Sequence, residues 1–89
     1  MAGGALGLIE VKGLVAAIAA ADAAVKAADV TVLGYEPTKG SGLVTVKITG
    51  EVAAVQAAIS VAAEAVSRIT LVYASRVIAR PMVEVEGNA

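Results

Sequence analysis

The chain has 89 residues, of which 58% are hydrophobic, 17% are charged and 2% are aromatic, and its net charge is −1. A domain of this size buries only about 60% of the surface that its unfolded chain exposes, so the apolar excess predicts contact with a partner or with further copies. The low charge and the two tyrosines do not favour nucleic-acid binding. Cysteine and histidine are absent, which excludes disulfides and thiolate metal sites, and we expect no metal or other cofactor.

A lipid membrane is a poor explanation of the apolar excess. The longest charge-free apolar run, Leu14–Ala21, is far shorter than the roughly 20 residues that a bilayer crossing needs. The N-terminus also lacks the basic region and continuous apolar region of a signal peptide. We therefore expect self-association in the cytoplasm.

The first third of the chain predicts a strand followed by a helix. Ala5–Lys12 alternates as a strand, and apolar residues on both of its faces indicate a central position in a sheet. Leu14–Asp29 is rich in alanine, the best helix former. Large apolar residues recur at helical spacing and predict a core-facing stripe: Leu14, Ile18, Ala21 and Val25. The remaining alanine surface would then be free to contact a neighbouring subunit.

The middle third predicts a β-hairpin. Val30–Tyr35 is a strand with Thr31, Leu33 and Tyr35 expected on one side. Leu43–Thr49 is the clearest strand, and its inward residues are predicted to be Val44, Val46 and Ile48. The short connection, Pro37–Gly42, contains two glycines and favours an antiparallel turn.

The last third predicts a second helix and a final strand. The helix is expected to begin with Thr49 or Gly50 as its cap and to end near Arg68. Its apolar stripe is predicted to comprise Val52, Val55, Ile59, Ala62 and Val66. The β-branched segment Thr70–Ile78 predicts the last strand, and residues 82–89 are expected to form a flexible tail.

The element order is strand, helix, strand, strand, helix, strand. This is the ferredoxin-like, or split βαβ, arrangement of the α+β class, with both helices on one face of an antiparallel sheet. No linker or repeat divides the chain, so we expect one domain over residues 1–89 with its core in residues 5–81.

The side chains offer little for catalysis. The acidic residues fall on separate predicted elements, and the serines have no histidine to activate them. The glycine-rich turn Lys39–Gly42 joins two strands and does not open a helix, so it lacks the arrangement of a phosphate-binding P-loop. We expect no catalytic residue and no enzyme activity from one chain.

Four segments together resemble one family: LGLIEVKG at Leu6–Gly13, DAAVKAADV at Asp22–Val30, the hairpin GYE…GSGLVTV, and VIARP at Val77–Pro81. The chain resembles the hexameric shell proteins of bacterial microcompartments, the single-domain type of carboxysome and metabolosome shells. The resemblance covers residues 5–81, with the segments in the same order.

The resemblance implies cyclic homo-hexamers that tile into a sheet in the microcompartment shell. It implies a central pore for small polar metabolites, lined by Lys39, Gly40, Ser41 and Gly42, with either Lys39 or Ser41 at the narrowest point. It also implies contacts between hexamers, and with other shell proteins, through Lys26, Asp29 and Arg80, and Asp29 could pair with Lys26. Two alternatives are an oligomeric regulatory or small-ligand-binding domain and an enzyme subunit that needs partner residues.

Overall fold

The predicted alternation of strands and helices is observed, with small shifts at the boundaries. The computed structural model describes residues 4–79, and both Arg80 and the expected tail at 82–89 lie outside this range. The elements in chain order are β1 Gly4–Lys12, α1 Leu14–Ala27, β2 Thr31–Pro37, β3 Leu43–Glu51, α2 Val52–Ser67 and β4 Val72–Ala79. This order confirms the ferredoxin-like arrangement.

The four strands form one antiparallel sheet in the order β2-β3-β1-β4. β1 is therefore an inner strand, as its apolar sequence predicted. Alternate residues of β1 and β3 face the helices and are buried, because successive side chains of a strand point to opposite faces. The buried members are Ala5, Gly7, Ile9, Val11, Val44, Val46 and Ile48.

Helix α2 buries four of the five residues of its predicted apolar stripe, and the fifth, Val52, is half-buried. Val55, Ile59 and Val66 are buried, and each such side chain stabilises the fold by roughly 1.5–3 kcal/mol. The strand beneath the helix is correspondingly small: a Cβ at Gly7 would lie 2.6 Å from Cγ1 of Val55 and 2.9 Å from Cγ1 of Ile48. Gly7 therefore lets α2 approach the sheet closely.

The predicted core stripe of α1 is wrong. The buried residues of α1 are all alanines: Ala16, Ala17, Ala20, Ala21 and Ala24. Of the predicted stripe only Ala21 is buried, while Leu14, Ile18 and Val25 are 55%, 51% and 44% exposed. Alanine allows α1 to lie close to both α2 and the sheet, whereas larger side chains there would overfill the core.

Two local predictions also fail. β3 continues to Glu51, so Thr49 and Gly50 lie in a strand and neither caps α2; the hydroxyl of Thr49 donates to the carbonyl oxygen of Ala5 at 3.0 Å. In β2 the register shifts between Val32 and Gly34, which places Tyr35 opposite Val46 and not on the side of Thr31. A β-bulge changes the face of every later residue in a strand, and alternation alone cannot reveal it.

Candidate functional site

The turn between β2 and β3 is tightly closed by the backbone. The amide of Thr38 donates to the carbonyl oxygen of Leu43 at 2.8 Å. Gly40 and Gly42 have φ angles of 80° and 78°, in the left-handed region that favours glycine because a Cβ would clash with the backbone. The two glycines therefore determine the shape of the loop.

Ser41 uses its hydroxyl within this loop. The oxygen Oγ donates to the carbonyl oxygen of Thr38 at 3.2 Å and accepts from the amide of Leu43 at 3.1 Å. By contrast, the amide N–H groups of Lys39, Gly40 and Gly42 have no acceptor within residues 4–79. Unpaired backbone amides are good donors to an oxygen ligand. The polar groups that the loop offers outward are therefore mainly its amides.

The loop is attached to the start of α1 and to the end of β1. The amide of Gly13 donates to the carbonyl oxygen of Gly42 at 2.8 Å. The aliphatic part of Lys12 lies over Gly42, where a Cβ would be 3.4 Å from Cε of the lysine. The amide of Lys12 also bonds the carbonyl oxygen of Leu71 at 3.4 Å. The expected pore residues thus lie at one end of the sheet, beside the N-terminus of α1.

The expected edge residues lie at the other end of the sheet. Lys26 is in the last turn of α1, whose 14 residues span about 20 Å from the loop end. Asp29 precedes β2, and the pairing of Ala5 with Ala79 puts the end of β4 at this same end. Arg80 follows directly in the sequence but lies outside the described residues.

Of the two pairings that the sequence offered Lys26, the structure has the one with Asp22, at the i,i+4 spacing, and not the one with Asp29. The ammonium of Lys26 contacts Asp22, one turn earlier, at 3.1 Å, and Asp29 makes no ion pair within residues 4–79. Asp29 instead lines an open depression of about 540 Å³ together with Thr31, Thr49 and Glu51. A contact between Lys26 and Asp29 is therefore not formed inside one subunit.

The described residues hold no arrangement typical of a catalytic or metal centre. Between residues 4 and 79 no polar or charged side chain is buried, and no group of three or more potential metal ligands occurs. Glu36 has a pKa below its usual range, because Lys47 bonds its carboxylate at 2.6 Å and adds a nearby positive charge. This pair is exposed on the open face of the sheet. Neither α1 nor α2 is long and apolar enough to cross a membrane.

Many large apolar residues are exposed on this small α+β domain, and exposed apolar patches commonly mark contacts with other molecules. The family model of the BMC domain matches residues 5–81. The bacterial microcompartment shell protein PduA of Citrobacter freundii is 54% identical over 82 residues, covering 92% of this chain and 87% of PduA. The carboxysome shell protein CsoS1 of Prochlorococcus marinus is 51% identical over 83 residues, covering 92% of this chain and 80% of CsoS1.

A solved structure gives the same result. A microcompartment protein from Desulfitobacterium hafniense DCB superposes with a TM-score of 0.73 at 33% identity, covering 89% of this chain and 41% of that one. The present chain therefore spans about two fifths of that protein. It belongs to the BMC domain family and is a structural shell protein of bacterial microcompartments, not an enzyme. The resemblance and the fold inferred from the sequence are both confirmed.

Proposed function

We propose that six copies of this chain form a ring in which the loops Thr38–Gly42 meet at the axis and surround a pore. Lys26, Asp29 and Arg80 then lie at the outer rim, where the ring contacts neighbouring rings and other shell proteins. The rings tile into the wall of a microcompartment in the bacterial cytoplasm. Small polar metabolites cross this wall through the pore.

The separation of the two residue sets supports this proposal. A ring subunit needs an inner end that meets its copies at the axis and an outer end that meets other rings. Residues 39–42 lie at one end of the sheet, whereas Lys26 and Asp29 lie at the opposite end. Helix α1 connects the two ends over about 20 Å.

The loop chemistry favours metabolites that accept hydrogen bonds. Six-fold symmetry would convert the unpaired amides of Lys39, Gly40 and Gly42 into a ring of donors, and such linings set the selectivity of narrow pores. The exposed ammonium of Lys39 adds positive potential near the opening. Since Ser41 is engaged in closing the turn, its main contribution in this proposal is to hold the amides in place.

Native mass spectrometry and electron microscopy test the proposal together. The chain at micromolar concentration should give hexamers, and concentrated samples should give sheets or tubes. We expect Lys26→Ala to leave the hexamers intact but to weaken tiling, because the rim loses its exposed cation. Arg68→Ala is a matched control, since Arg68 also pairs with an acidic residue one turn earlier on its helix. A stable monomer or dimer would contradict the ring, and unchanged sheets for Lys26→Ala would remove Lys26 from the rim.

A further inference from the structure

The face of the sheet that is turned away from the helices carries a small depression of about 190 Å³. Leu8 and Glu10 alternate with residues buried under the helices, so they point to this open face. We call the cavity the open-face depression; its lining residues come from β1, β3 and β4: Leu8, Glu10, Thr45, Ala74, Ser75 and Arg76. None of the proposed pore or rim residues lines it.

The strand register explains why a depression forms at this position. Leu8 is paired with Arg76 and Glu10 is paired with Ala74, so Glu10 and Arg76 are diagonal neighbours on one face, about 7–8 Å apart. Ala74 has a small side chain and leaves the space opposite Glu10 open. Just beyond Glu10 the register of β1 and β4 shifts, and β-bulges are common next to functional sites. Leu8 and Ala74 thus form an apolar floor between two charged side chains.

The polar side chains around the depression have no partner within the part of the chain that the structure describes. There, neither Glu10 nor Arg76 makes an ion pair or a side-chain hydrogen bond, although their charges are opposite. The hydroxyl of Thr45 likewise makes no hydrogen bond in that part. Lys47 is a diagonal neighbour of Glu10 on β3, but its ammonium contacts Glu36 at 2.6 Å. A carboxylate, a guanidinium and a hydroxyl are therefore available to a ligand.

We infer that the open-face depression binds a small zwitterion, with the carboxylate of the ligand on Arg76 and its ammonium on Glu10. A guanidinium binds a carboxylate through two parallel hydrogen bonds, and a carboxylate accepts a charge-assisted hydrogen bond from an ammonium. A simple anion or cation would satisfy only one of the two side chains.

The size of the depression limits the ligand. A volume of about 190 Å³ corresponds to roughly six water molecules, which is the size of a small amino acid such as alanine. All lining residues belong to one subunit, so the site does not depend on the proposed ring. It would place a metabolite on the face of the shell, apart from the pore.

Titration of the assembled, ¹⁵N-labelled chain with L-alanine, followed by NMR, tests the inference. We expect saturable shifts of the amide signals of Leu8, Glu10, Thr45 and Arg76. Propionate lacks the ammonium of alanine, and isopropylamine lacks its carboxylate, while both keep three carbon atoms. Each should bind at least about tenfold more weakly than L-alanine, because each loses one charge-assisted contact.

Two substitutions assign the two ends of the ligand. Arg76→Gln should remove the advantage of L-alanine over isopropylamine, and Glu10→Gln should remove its advantage over propionate. Glu64→Gln and Arg68→Gln are matched controls, since they make the same replacements in the exposed pair of α2, and they should bind L-alanine as the unmodified chain does. If circular dichroism shows that Glu10→Gln is unfolded, the comparison with propionate on the unmodified chain tests the ammonium contact without a substitution.

Several results would overturn the inference: equal binding of L-alanine and propionate, shifts spread evenly over the chain, no saturation, or an equal loss of binding in the α2 controls. An unmodified chain that forms no hexamer would instead contradict the proposed function, and the titration would still test this site.

Discussion

The two helices lie on the same face of one sheet and have similar alanine-rich sequences, but only α2 buries large apolar residues. Helix α2 turns Val55, Ile59 and Val66 towards the sheet, above the small residue Gly7, and leaves Val61 exposed. Helix α1 turns alanines inward and leaves Leu14, Ile18 and Val25 exposed. Where α2 meets the sheet, the small residue is Gly7 on the strand. Where α1 meets the sheet, the small residues are the alanines of the helix.

The contrast shows how a small domain divides its apolar residues between folding and assembly. The core is already filled by α2 and by the valines and isoleucines of β1 and β3. A close-packed interior has little space for further large side chains. The large residues of α1 therefore remain on the surface. Part of the apolar excess seen in the composition therefore lies on the exposed surface of α1.

The largest expected effect is the difference in stability loss between two isoleucine-to-alanine substitutions, one on each helix. Ile59→Ala creates a cavity in the core and should lower the free energy of unfolding by about 2–5 kcal/mol. Ile18→Ala removes an exposed side chain and should change the free energy of unfolding of the isolated subunit by less than about 0.5 kcal/mol. Urea unfolding at concentrations where light scattering shows monomers measures both values. Equal losses would mean that α1 and α2 do not differ as described.

An intermediate effect is expected where a small residue is enlarged. Gly7→Ala places a Cβ 2.6 Å from Val55, and Ala20→Val adds two methyl groups at a fully buried site of α1. Both changes overpack the core, and each should cost about 1–3 kcal/mol in thermal or urea unfolding. Ala57→Val on the exposed side of α2 is the control and should change stability by less than about 0.5 kcal/mol. A neutral Ala20→Val would show that the alanine face of α1 is not tightly packed.

The smallest effect tests a feature that the helices share. Asp22 pairs with Lys26 at 3.1 Å on α1, and Glu64 pairs with Arg68 at 3.4 Å on α2, each over one helical turn. We expect Asp22→Asn and Glu64→Gln each to cost about 0.2–0.5 kcal/mol, because exposed pairs of this spacing are weak. Both losses should shrink in high salt, which screens exposed charges. A much larger effect of Asp22→Asn on ring assembly than on unfolding would indicate that Asp22 contacts the adjacent copy.

The sequence predicted the elements better than it predicted their orientation. The order of strands and helices, the inner position of β1 and the inward residues of β3 followed from alternation and composition. The orientation of α1 did not follow, because a stripe of leucine, isoleucine and valine has the same spacing whether it faces a core or a partner. The bulge in β2 likewise leaves no mark in the residue pattern.

For the candidate sites too, the sequence predicted the residues, whereas their hydrogen bonds were visible only in the structure. The glycines of the loop and the lysine of α1 were selected from the sequence through a resemblance to a family. The comparisons confirm the family, and the roles of these residues stay predictions. The sequence indicated Ser41 as a possible pore donor, but the two hydrogen bonds of its hydroxyl inside the turn were visible only in the structure. Which loop amides remain without an acceptor also depends on the φ angles of Gly40 and Gly42.

By itself, the sequence determined the fold class, the absence of disulfides and thiolate metal sites, and the excess of apolar residues over what one small core can hold. These properties depend on local periodicity and on residue counts. Only the tertiary structure decided which apolar residues form the core and which remain exposed. The physical reason is that burial depends on how closely α1 and α2 approach one sheet, and that distance depends on residues far apart in the chain, such as Gly7 and Val55.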